Sequence, residues 1–420
     1  MPPSTPPAPS SPASALPPFG LPPFGLLRNP VRRYAWGSPT AVPALTGTTP
    51  DGTPQAELWL GAHPSAPSLL SAPDPDGSGP RPLDELIDAD PDGLLGPDTV
   101  RRFGPALPFL FKVLAADRAL SLQVHPTRAQ AEAGYAAEQA RGIPPTAPDR
   151  VYKDRGHKPE LLCALGDFEA LCGFRPAADT ARLLDALGVL PHWAAALRTR
   201  PAEAVLPELL RSGLNASDEE LAAVTRALHR AAAADGPYAA SCAAYARLTE
   251  EYPGDRGPLP ALLLNHVTLT AGQALYLDAG VPHAYLRGVG VELMANSDNV
   301  LRCGLTAKHV DVDGLLAVTS FRTGEPAVLT PRPLADGTEE RFPSPAEEFG
   351  LSRLRPGATA VRVDLPTPQI LLCVSGQARL RGTGGAELAL PAGASAYLRP
   401  GAGPVELTGP GAELFRATTG

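Results

Sequence analysis

Residues 120–126 constrain the fold more than any other stretch of the sequence. They alternate between apolar and polar side chains, with Ser121, Gln123 and His125 as the polar members, and they end at Pro126, which cannot donate to a sheet. This period of two predicts a half-buried strand. Gln123 and His125 would then point the same way, about 7 Å apart, towards one small ligand. Taken alone, the stretch fits a solvated polar face better, and the later stretches favour the ligand site.

The composition excludes several classes of protein. The chain has 420 residues, 44% of them hydrophobic, which is enough for two or three domains with real cores. A net charge of −8 without a basic block argues against a nucleic-acid partner. Five cysteines without a CxxC pair indicate free thiols in the cytoplasm, and no apolar run is long enough to span a membrane.

The pattern along the chain predicts a mainly β protein with a helical insertion. Residues 1–25 are rich in proline and predict a disordered tail. Short apolar runs between glycines and prolines predict a first β sandwich or jelly roll over 26–165 and 256–325, and a second over 326–420. Residues 166–255 have helical periodicity and a Ser-Asp-Glu-Glu capping box, which predicts an inserted helical domain.

Lysine is rare, and its positions are informative. Of the 36 basic residues only four are lysine: Lys112, Lys153, Lys158 and Lys308. Arginine can replace lysine on a surface, but it cannot replace a compact, titratable ammonium in a site. All four lie in or beside stretches that other features single out, although so small a number could also survive by chance.

The segment His157-Lys158-Pro159-Glu160 carries a second group of polar side chains. Proline disfavours a helical conformation in the residue before it, so the segment should be extended. Lys158 and Glu160 would then lie on one side and His157 on the other.

Four residues from three stretches form a candidate ligand set for a metal ion. Gln123, His125, Glu160 and His283 offer an amide oxygen, a carboxylate and two imidazoles. Such a set suits Zn²⁺ with a position left for water or substrate, and it does not exclude Mn²⁺, Fe²⁺ or Co²⁺. The alternative is that His283 is an ordinary turn residue and Glu160 an ordinary surface carboxylate.

A fourth stretch, residues 290–308, leads through Asn-Ser-Asp-Asn to Arg302 and Lys308. Together with Lys112 and Lys158, these cations would make a positive pocket in an acidic protein. Such a pocket suits an anionic substrate, for instance a phosphorylated one.

These motifs resemble those of the type I phosphomannose isomerases. The matching segments are Gln-Val-His-Pro at 123–126, His-Lys-Pro-Glu at 157–160, Pro-His-Ala-Tyr at 282–285 and the long signature at 290–308, with shorter matches at 34–37 and 56–59. The resemblance covers about residues 27–318 and, more loosely, the C-terminal region.

The resemblance implies a zinc-dependent aldose–ketose isomerase that interconverts mannose 6-phosphate and fructose 6-phosphate through ring opening and a cis-enediol. It implies a cupin-like fold with two jelly rolls and an inserted helical domain, one Zn²⁺ per chain, a role in GDP-mannose biosynthesis, and a small sugar phosphate as partner. We expect a monomer. The implied metal ligands are Gln123, His125, Glu160 and His283, and Arg302 occupies the position of the family's catalytic arginine.

The remaining roles follow from side-chain chemistry. Arg302 cannot readily lose its proton, so we expect it to stabilise developing negative charge. Lys158 and Glu292 are both candidates for the group that moves the proton. Contacts with the phosphate or the sugar hydroxyls are expected from Ser121, Lys112 and Lys308.

Two other functions remain open at this point. A cupin dioxygenase with Fe²⁺ would use two histidines and a carboxylate but would leave Gln123 and Arg302 without a role. A sugar-phosphate-binding protein without activity could keep the same scaffold.

Overall fold

The computed structural model describes residues 23–71, 79–334, 337–382 and 385–420. Most of the predicted tail, residues 1–22, lies outside these ranges. Strand and helix occur in nearly equal amounts, 30% and 29%. The chain is therefore a mixed protein and not the mainly β protein that we expected, because seven helices also occur within the first β region.

The bounds of the elements are as follows. The strands are β1 (Phe24–Arg28), β2 (Val31–Arg32), β3 (Glu57–Leu60), β4 (Leu69–Ser71), β5 (Arg81–Pro82), β6 (Phe109–Ala116), β7 (Gln123–Val124), β8 (Glu160–Phe174), β9 (Leu264–Leu269), β10 (Ala274–Leu277), β11 (His283–Ala295), β12 (Leu301–Arg302), β13 (Arg332–Pro333), β14 (Glu339–Arg341), β15 (Gly350–Leu354), β16 (Val361–Val363), β17 (Gln369–Ser375), β18 (Gln377–Arg381), β19 (Glu387–Pro391), β20 (Ser395–Leu398), β21 (Val405–Thr408) and β22 (Glu413–Thr418). The helices are α1 (Ala41–Thr46), α2 (Leu83–Ala89), α3 (Pro91–Leu95), α4 (Pro97–Phe103), α5 (Arg128–Ala140), α6 (Ala177–Leu187), α7 (Pro191–Thr199), α8 (Ala202–Leu214), α9 (Asp218–Ala232), α10 (Ala239–Glu251), α11 (Pro258–Ala261) and α12 (Val312–Val318).

Three antiparallel sheets organise the described residues. The first has nine strands in the order β13-β14-β15-β22-β17-β20-β1-β4-β5. The second also has nine, with a main path β10-β8-β11-β6-β3-β2, to which β7, β9 and β12 are attached. The third has four, β16-β21-β18-β19. The second sheet carries most of the residues that the sequence singled out.

The two large sheets pack on each other through a shared apolar core. Phe109, Phe111 and Val113 alternate along β6 and lie in one cluster with Leu351 and Phe415 of the first sheet. Because side chains alternate across a strand, the residues between them face the other way. The opposite face of β6 is thereby left free to line a cavity.

The first strand joins a sheet other than the one expected. Phe24 pairs with Leu398 of β20, and Leu27 pairs with Leu70 of β4, so β1 lies between N-terminal and C-terminal strands. The sequence predicted a boundary at residue 26 and placed 26–165 and 326–420 in separate sandwiches. Strand β1 instead begins before that boundary and pairs with a strand from each of these regions. Phe24 and Leu27 are both buried, which is the physical reason for the strand.

The helices begin later than the sequence predicted. Strand β8 continues to Phe174 because residues 168–174 pair with β9 and β11, whereas a change to helix was expected at residue 166. From Ala177 onwards the helices follow one another as far as Ala261. The predicted capping box is confirmed: the Ser217 hydroxyl accepts from the backbone N–H of Glu220, whose carboxylate accepts from that of Ser217.

The stretch at 120–126 forms a shorter strand than its alternation predicted. Only Gln123 and Val124 have strand geometry, in β7. The backbone N–H groups of Leu120 and Leu122 instead donate to the backbone oxygens of Tyr285 and Gly304. These two hydrogen bonds hold the residues before β7, although they do not form part of a regular strand pairing. No helix in the described part of the chain is both long and apolar enough to cross a bilayer.

Candidate metal centre

Strand pairing brings three distant motifs side by side. Gln123 of β7 pairs with His283 at the start of β11 and with Arg302 of β12. Glu160 begins β8 and pairs with Met294 of β11. The pairing of β7 therefore brings Gln123, His283 and Arg302 together. Glu160 joins them from the other end of the β8–β11 ladder, which is interrupted by two register shifts.

His125, Glu160 and His283 form a buried cluster whose ligand atoms all lie within 4.8 Å of one another. His125 Nε2 is 3.2 Å from Glu160 Oε1, and His283 Nε2 is 3.5 Å from Glu160 Oε2. Tetrahedral Zn²⁺ with bonds of about 2.0–2.2 Å separates its ligands by roughly 3.3–3.5 Å. The observed spacing matches that separation.

The hydrogen bonds of both histidines fix the atom that faces the cluster. His125 Nδ1 donates to the backbone oxygen of Asn299, and His283 Nδ1 donates to that of Val281, each at 2.8 Å. The Nε2 atoms therefore carry the lone pairs. Within the described part of the chain, His125 Nε2 is buried without a hydrogen-bond partner. Burial and the ammonium of Lys158 lower the pKa of His125 to about 4, so its imidazole is neutral at neutral pH.

Glu160 and Gln123 complete the donor set. Burial would raise the pKa of Glu160, but the Lys158 ammonium holds it well below its ordinary value, so the carboxylate is ionised. Lys158 Nζ lies 2.9 Å from Glu160 Oε1. Gln123 Nε2 lies 3.3 Å from His283 Nε2. Rotation of the amide by half a turn would present its oxygen at this point. These residues fit a Zn²⁺ ion.

A cavity of about 570 Å³ opens beside the cluster. Gln123 and Glu160 lie in its wall. The predicted catalytic and substrate-binding residues also line it: Arg302, Lys158, Glu292, Ser121, Lys112 and Lys308. The structure thus brings together all of these sequence-selected residues, although it does not by itself assign their roles.

Lys112 is held between two buried carboxylates. Its Nζ lies 3.1 Å from Glu292 Oε2 and 3.7 Å from Glu57 Oε1. Burial would lower the pKa of Lys112, but Glu292 and Glu57 raise it above the ordinary value. Burial raises the pKa of Glu292. Trp59 Nε1 donates to Glu57 at 2.6 Å, which fixes that carboxylate beside Lys112.

Arg302 and Lys308 make one side of the cavity positive. Burial lowers the pKa of Arg302, and burial together with Arg302 and Lys153 lowers that of Lys308. Among the described residues, no carboxylate offsets either effect. This side of the cavity is the one with cationic charge to spare for an anion.

His157 points away from this cavity, as the extended segment predicted. Its Nε2 lies 2.7 Å from Glu348 Oε1, and Arg128 donates to the same oxygen at 2.6 Å. The contact joins the segment before Glu160 to the residues that lead into β15.

Sequence reasoning did not single out several residues of the site. Glu57 was part of a matching segment, yet nothing in the sequence placed it against Lys112. Asp298 lines the cavity, and a hydrogen bond from His63 lowers its pKa to about 2. Asn299 is fully buried and holds His125. The polar Asn-Ser-Asp-Asn stretch at 296–299 was the one feature of the sequence that could have pointed to Asp298 and Asn299.

The chain is similar to known mannose-6-phosphate isomerases over most of its length. Residues 26–177 match the family model for the catalytic domain of type I phosphomannose isomerase. The mannose-6-phosphate isomerase of Escherichia coli (strain K12) is 41% identical over 387 residues, which cover 92% of this chain and 97% of that protein. Mannose-6-phosphate isomerase 1 of Arabidopsis thaliana is 32% identical, with 84% of each chain covered.

Solved structures give the same relationship. A mutant phosphomannose isomerase from Salmonella typhimurium has a TM-score of 0.86 and 38% identity, over 94% of this chain and 99% of that one. A mannose 6-phosphate isomerase in a zinc-bound holo form matches with the same TM-score, identity and coverage.

Proposed function

Because the chain belongs to the type I phosphomannose isomerase family, we propose that it interconverts mannose 6-phosphate and fructose 6-phosphate through a cis-enediol in the cavity beside the histidine–carboxylate cluster. One observation carries this proposal. The cluster of His125, Glu160 and His283 is spaced for a metal ion, and it adjoins a cavity lined by Arg302 and Lys308, whose pKa values no carboxylate of the described residues raises.

We propose that one Zn²⁺ per chain is held by Gln123, His125, Glu160 and His283. The neutral imidazole of His125 and the ionised carboxylate of Glu160 need no change of protonation to act as ligands. When bound, the ion supplies Lewis acidity towards the sugar oxygens. A zinc-bound structure among the similar proteins supports the choice of metal.

We assign the phosphate to the end of the cavity that Lys308 borders. Lys308 is exposed at the rim and, among the described residues, has only cations as charged neighbours that shift its pKa. Lys112 was a candidate for the same contact, but its charge is already compensated by Glu57 and Glu292. Ser121 is half-buried in the wall and can bond a sugar hydroxyl.

We assign Arg302 to the enediolate. It lies next to Gln123 across the β7–β12 pairing, so its guanidinium is close to the metal end of the cavity. A group that stays charged throughout the reaction stabilises negative charge as it develops on the sugar oxygens.

Glu292 is the better placed of the two candidates for proton transfer. It lines the cavity, and its carboxylate is held by Lys112. Burial raises its pKa towards neutrality, which suits a group that must both take and return a proton. The Lys158 ammonium already donates to the carboxylate of Glu160, a proposed metal ligand, at 2.9 Å.

We propose a cupin-like arrangement for the fold. Helices α6 to α11 lie between β8 and β9, which are paired neighbours in one sheet, as expected of an insertion into a catalytic jelly roll. Residues 326–420 supply most strands of the other two sheets and would form the second jelly roll, to which β1, β4 and β5 are added.

Isomerisation in deuterium oxide tests the enediol. A proton carried by Glu292 exchanges with solvent, so deuterium should enter the C2 position of mannose 6-phosphate or C1 of fructose 6-phosphate. Glu292→Gln should abolish turnover while leaving zinc in place. Turnover without any deuterium incorporation would instead indicate direct hydride transfer and would contradict the cis-enediol.

A further inference from the structure

The side chain of Asn299 makes more hydrogen bonds than any role in simple packing requires. Its Oδ1 accepts from the backbone N–H of Lys153 at 2.7 Å and of Asp154 at 3.3 Å. Its Nδ2 donates to the backbone oxygens of Asp154 and Gly156, each at 2.8 Å. An amide has two donors and two acceptor positions, and all four are used.

This pattern fixes the orientation of the amide. The oxygen end faces two N–H groups and the nitrogen end faces two carbonyls. A flipped amide would therefore place donors against donors and acceptors against acceptors. The residue is fully buried, and an unmet polar group there would be costly. The Asn299 side chain therefore supplies hydrogen-bond partners for the backbone N–H and C=O groups that face inward from the turn at residues 153–156.

The backbone of the same residue holds a ligand of the proposed metal. The oxygen of Asn299 accepts from His125 Nδ1, which directs Nε2 of that ring to the cluster. The turn that the side chain holds leads directly into Lys158 and Glu160. Asn299 thus touches both the segment that carries His125 and the segment that carries Glu160.

Neighbouring contacts close the same turn. Asp154 accepts from the Ser297 hydroxyl and from the backbone N–H of Asp298, each at 2.8 Å. A Cβ at Gly156 would lie 2.9 Å from Asp154 Oδ1 and 3.2 Å from Ser297 Cβ, so the turn fits closely against this loop. Movement of Asn299 would therefore be passed on to both ligand segments.

We propose that Asn299 is a positioning residue, which joins the turn before Glu160 to the imidazole of His125 and so presets the geometry of the metal ligands. This inference rests on the proposed metal site. Such outer partners of metal ligands typically contribute about 10–100-fold in metal affinity or activity.

Asn299→Asp is the most direct perturbation, because it keeps the shape of the side chain and removes its donors. A carboxylate at position 299 would face the backbone oxygens of Asp154 and Gly156, and it would lie about as close to Asp154 Oδ1 as the present amide nitrogen, 3.2 Å. The matched control is Asn296→Asp in the same loop. Among the described residues, the Asn296 side chain donates only to the Leu107 backbone oxygen, at 3.3 Å.

Zinc affinity of the metal-free proteins, measured by competition with a chromogenic chelator, separates the outcomes. We expect N299D to bind Zn²⁺ about 10–100-fold more weakly than the wild type, and N296D to stay within about threefold. The visible spectrum of the Co²⁺-loaded protein should also change in N299D, since it reports ligand geometry. A merely structural role would lower thermal stability without altering either readout.

A second substitution keeps the test decisive. Asp154→Asn in the N299D background removes the repulsion between the two carboxylates, so the double variant should regain part of the lost affinity. If N299D does not fold, the same measurements are made on Asn299→Ser. Unchanged zinc affinity and an unchanged Co²⁺ spectrum in a folded variant would overturn the inference. Failure of the wild type itself to bind Zn²⁺ would instead contradict the proposed function.

Discussion

Lys112→Met tests whether this lysine compensates buried carboxylates or binds substrate. The substitution keeps the length of the side chain and removes the charge that lies 3.1 Å from Glu292 and 3.7 Å from Glu57. With an effective dielectric constant of about 20, the two attractions are each of the order of 4–5 kcal/mol, most of which offsets desolvation. Removal of one partner from a buried ion pair costs about 3–5 kcal/mol, because the carboxylates stay behind.

The pH dependence of this loss has a defined sign. Without Lys112, the pKa of Glu292 in the folded protein rises further above its unfolded value, because burial then acts unopposed. A carboxyl group with a raised folded pKa destabilises the fold progressively as the pH rises through that pKa. The deficit in the free energy of unfolding should therefore be larger at about pH 8 than at about pH 5.

Urea unfolding of the metal-free protein at both pH values measures the effect. Lys153→Met is the matched control, since Lys153 is exposed, and K112M/E292Q should recover part of the loss. If K112M instead unfolded like the wild type at both pH values and only its KM rose, Lys112 would be a substrate ligand and the compensation argument would be refuted.

Three further substitutions distinguish the roles assigned around the cavity. His283→Ala should lower bound zinc, measured by elemental analysis, and abolish isomerisation; full activity with full occupancy would exclude it as a ligand. Arg302→Ala should keep zinc and reduce kcat by about 10²–10³-fold, as expected for lost stabilisation of an oxyanion, and a loss of zinc would contradict its assignment. Lys308→Met should raise KM for the sugar phosphate by about 10–150-fold, the value of a charge-assisted hydrogen bond, with kcat nearly unchanged; an unchanged KM would place the phosphate elsewhere.

The sequence was sufficient to select the metal cluster but not its surroundings. His125, Glu160 and His283 could be chosen because each lies in a short motif with the right donor chemistry, and the structure places their ligand atoms together. Glu57 could not be placed, because its contact with Lys112 depends on the pairing of β3 with β6. Nothing local in a sequence specifies which strands become neighbours.

The same limit explains the errors in the fold. Phe24 reads as the end of a proline-rich tail, yet its partner Leu398 lies at the other end of the chain. The extension of β8 to Phe174 and the short β7 also depend on partners that periodicity does not reveal. Helices with local signals, such as the one capped by Ser217, were predictable for the opposite reason.

The most direct test of the account is a coupled assay for fructose 6-phosphate formed from mannose 6-phosphate. The protein is assayed as purified, after removal of metal by a chelator, and after Zn²⁺ is returned. We expect activity that is lost with the metal and restored by Zn²⁺, because His125, Glu160 and His283 are spaced to hold the ion beside the cavity. Absence of activity in a folded, zinc-loaded protein, or full activity without metal, would contradict the central claim.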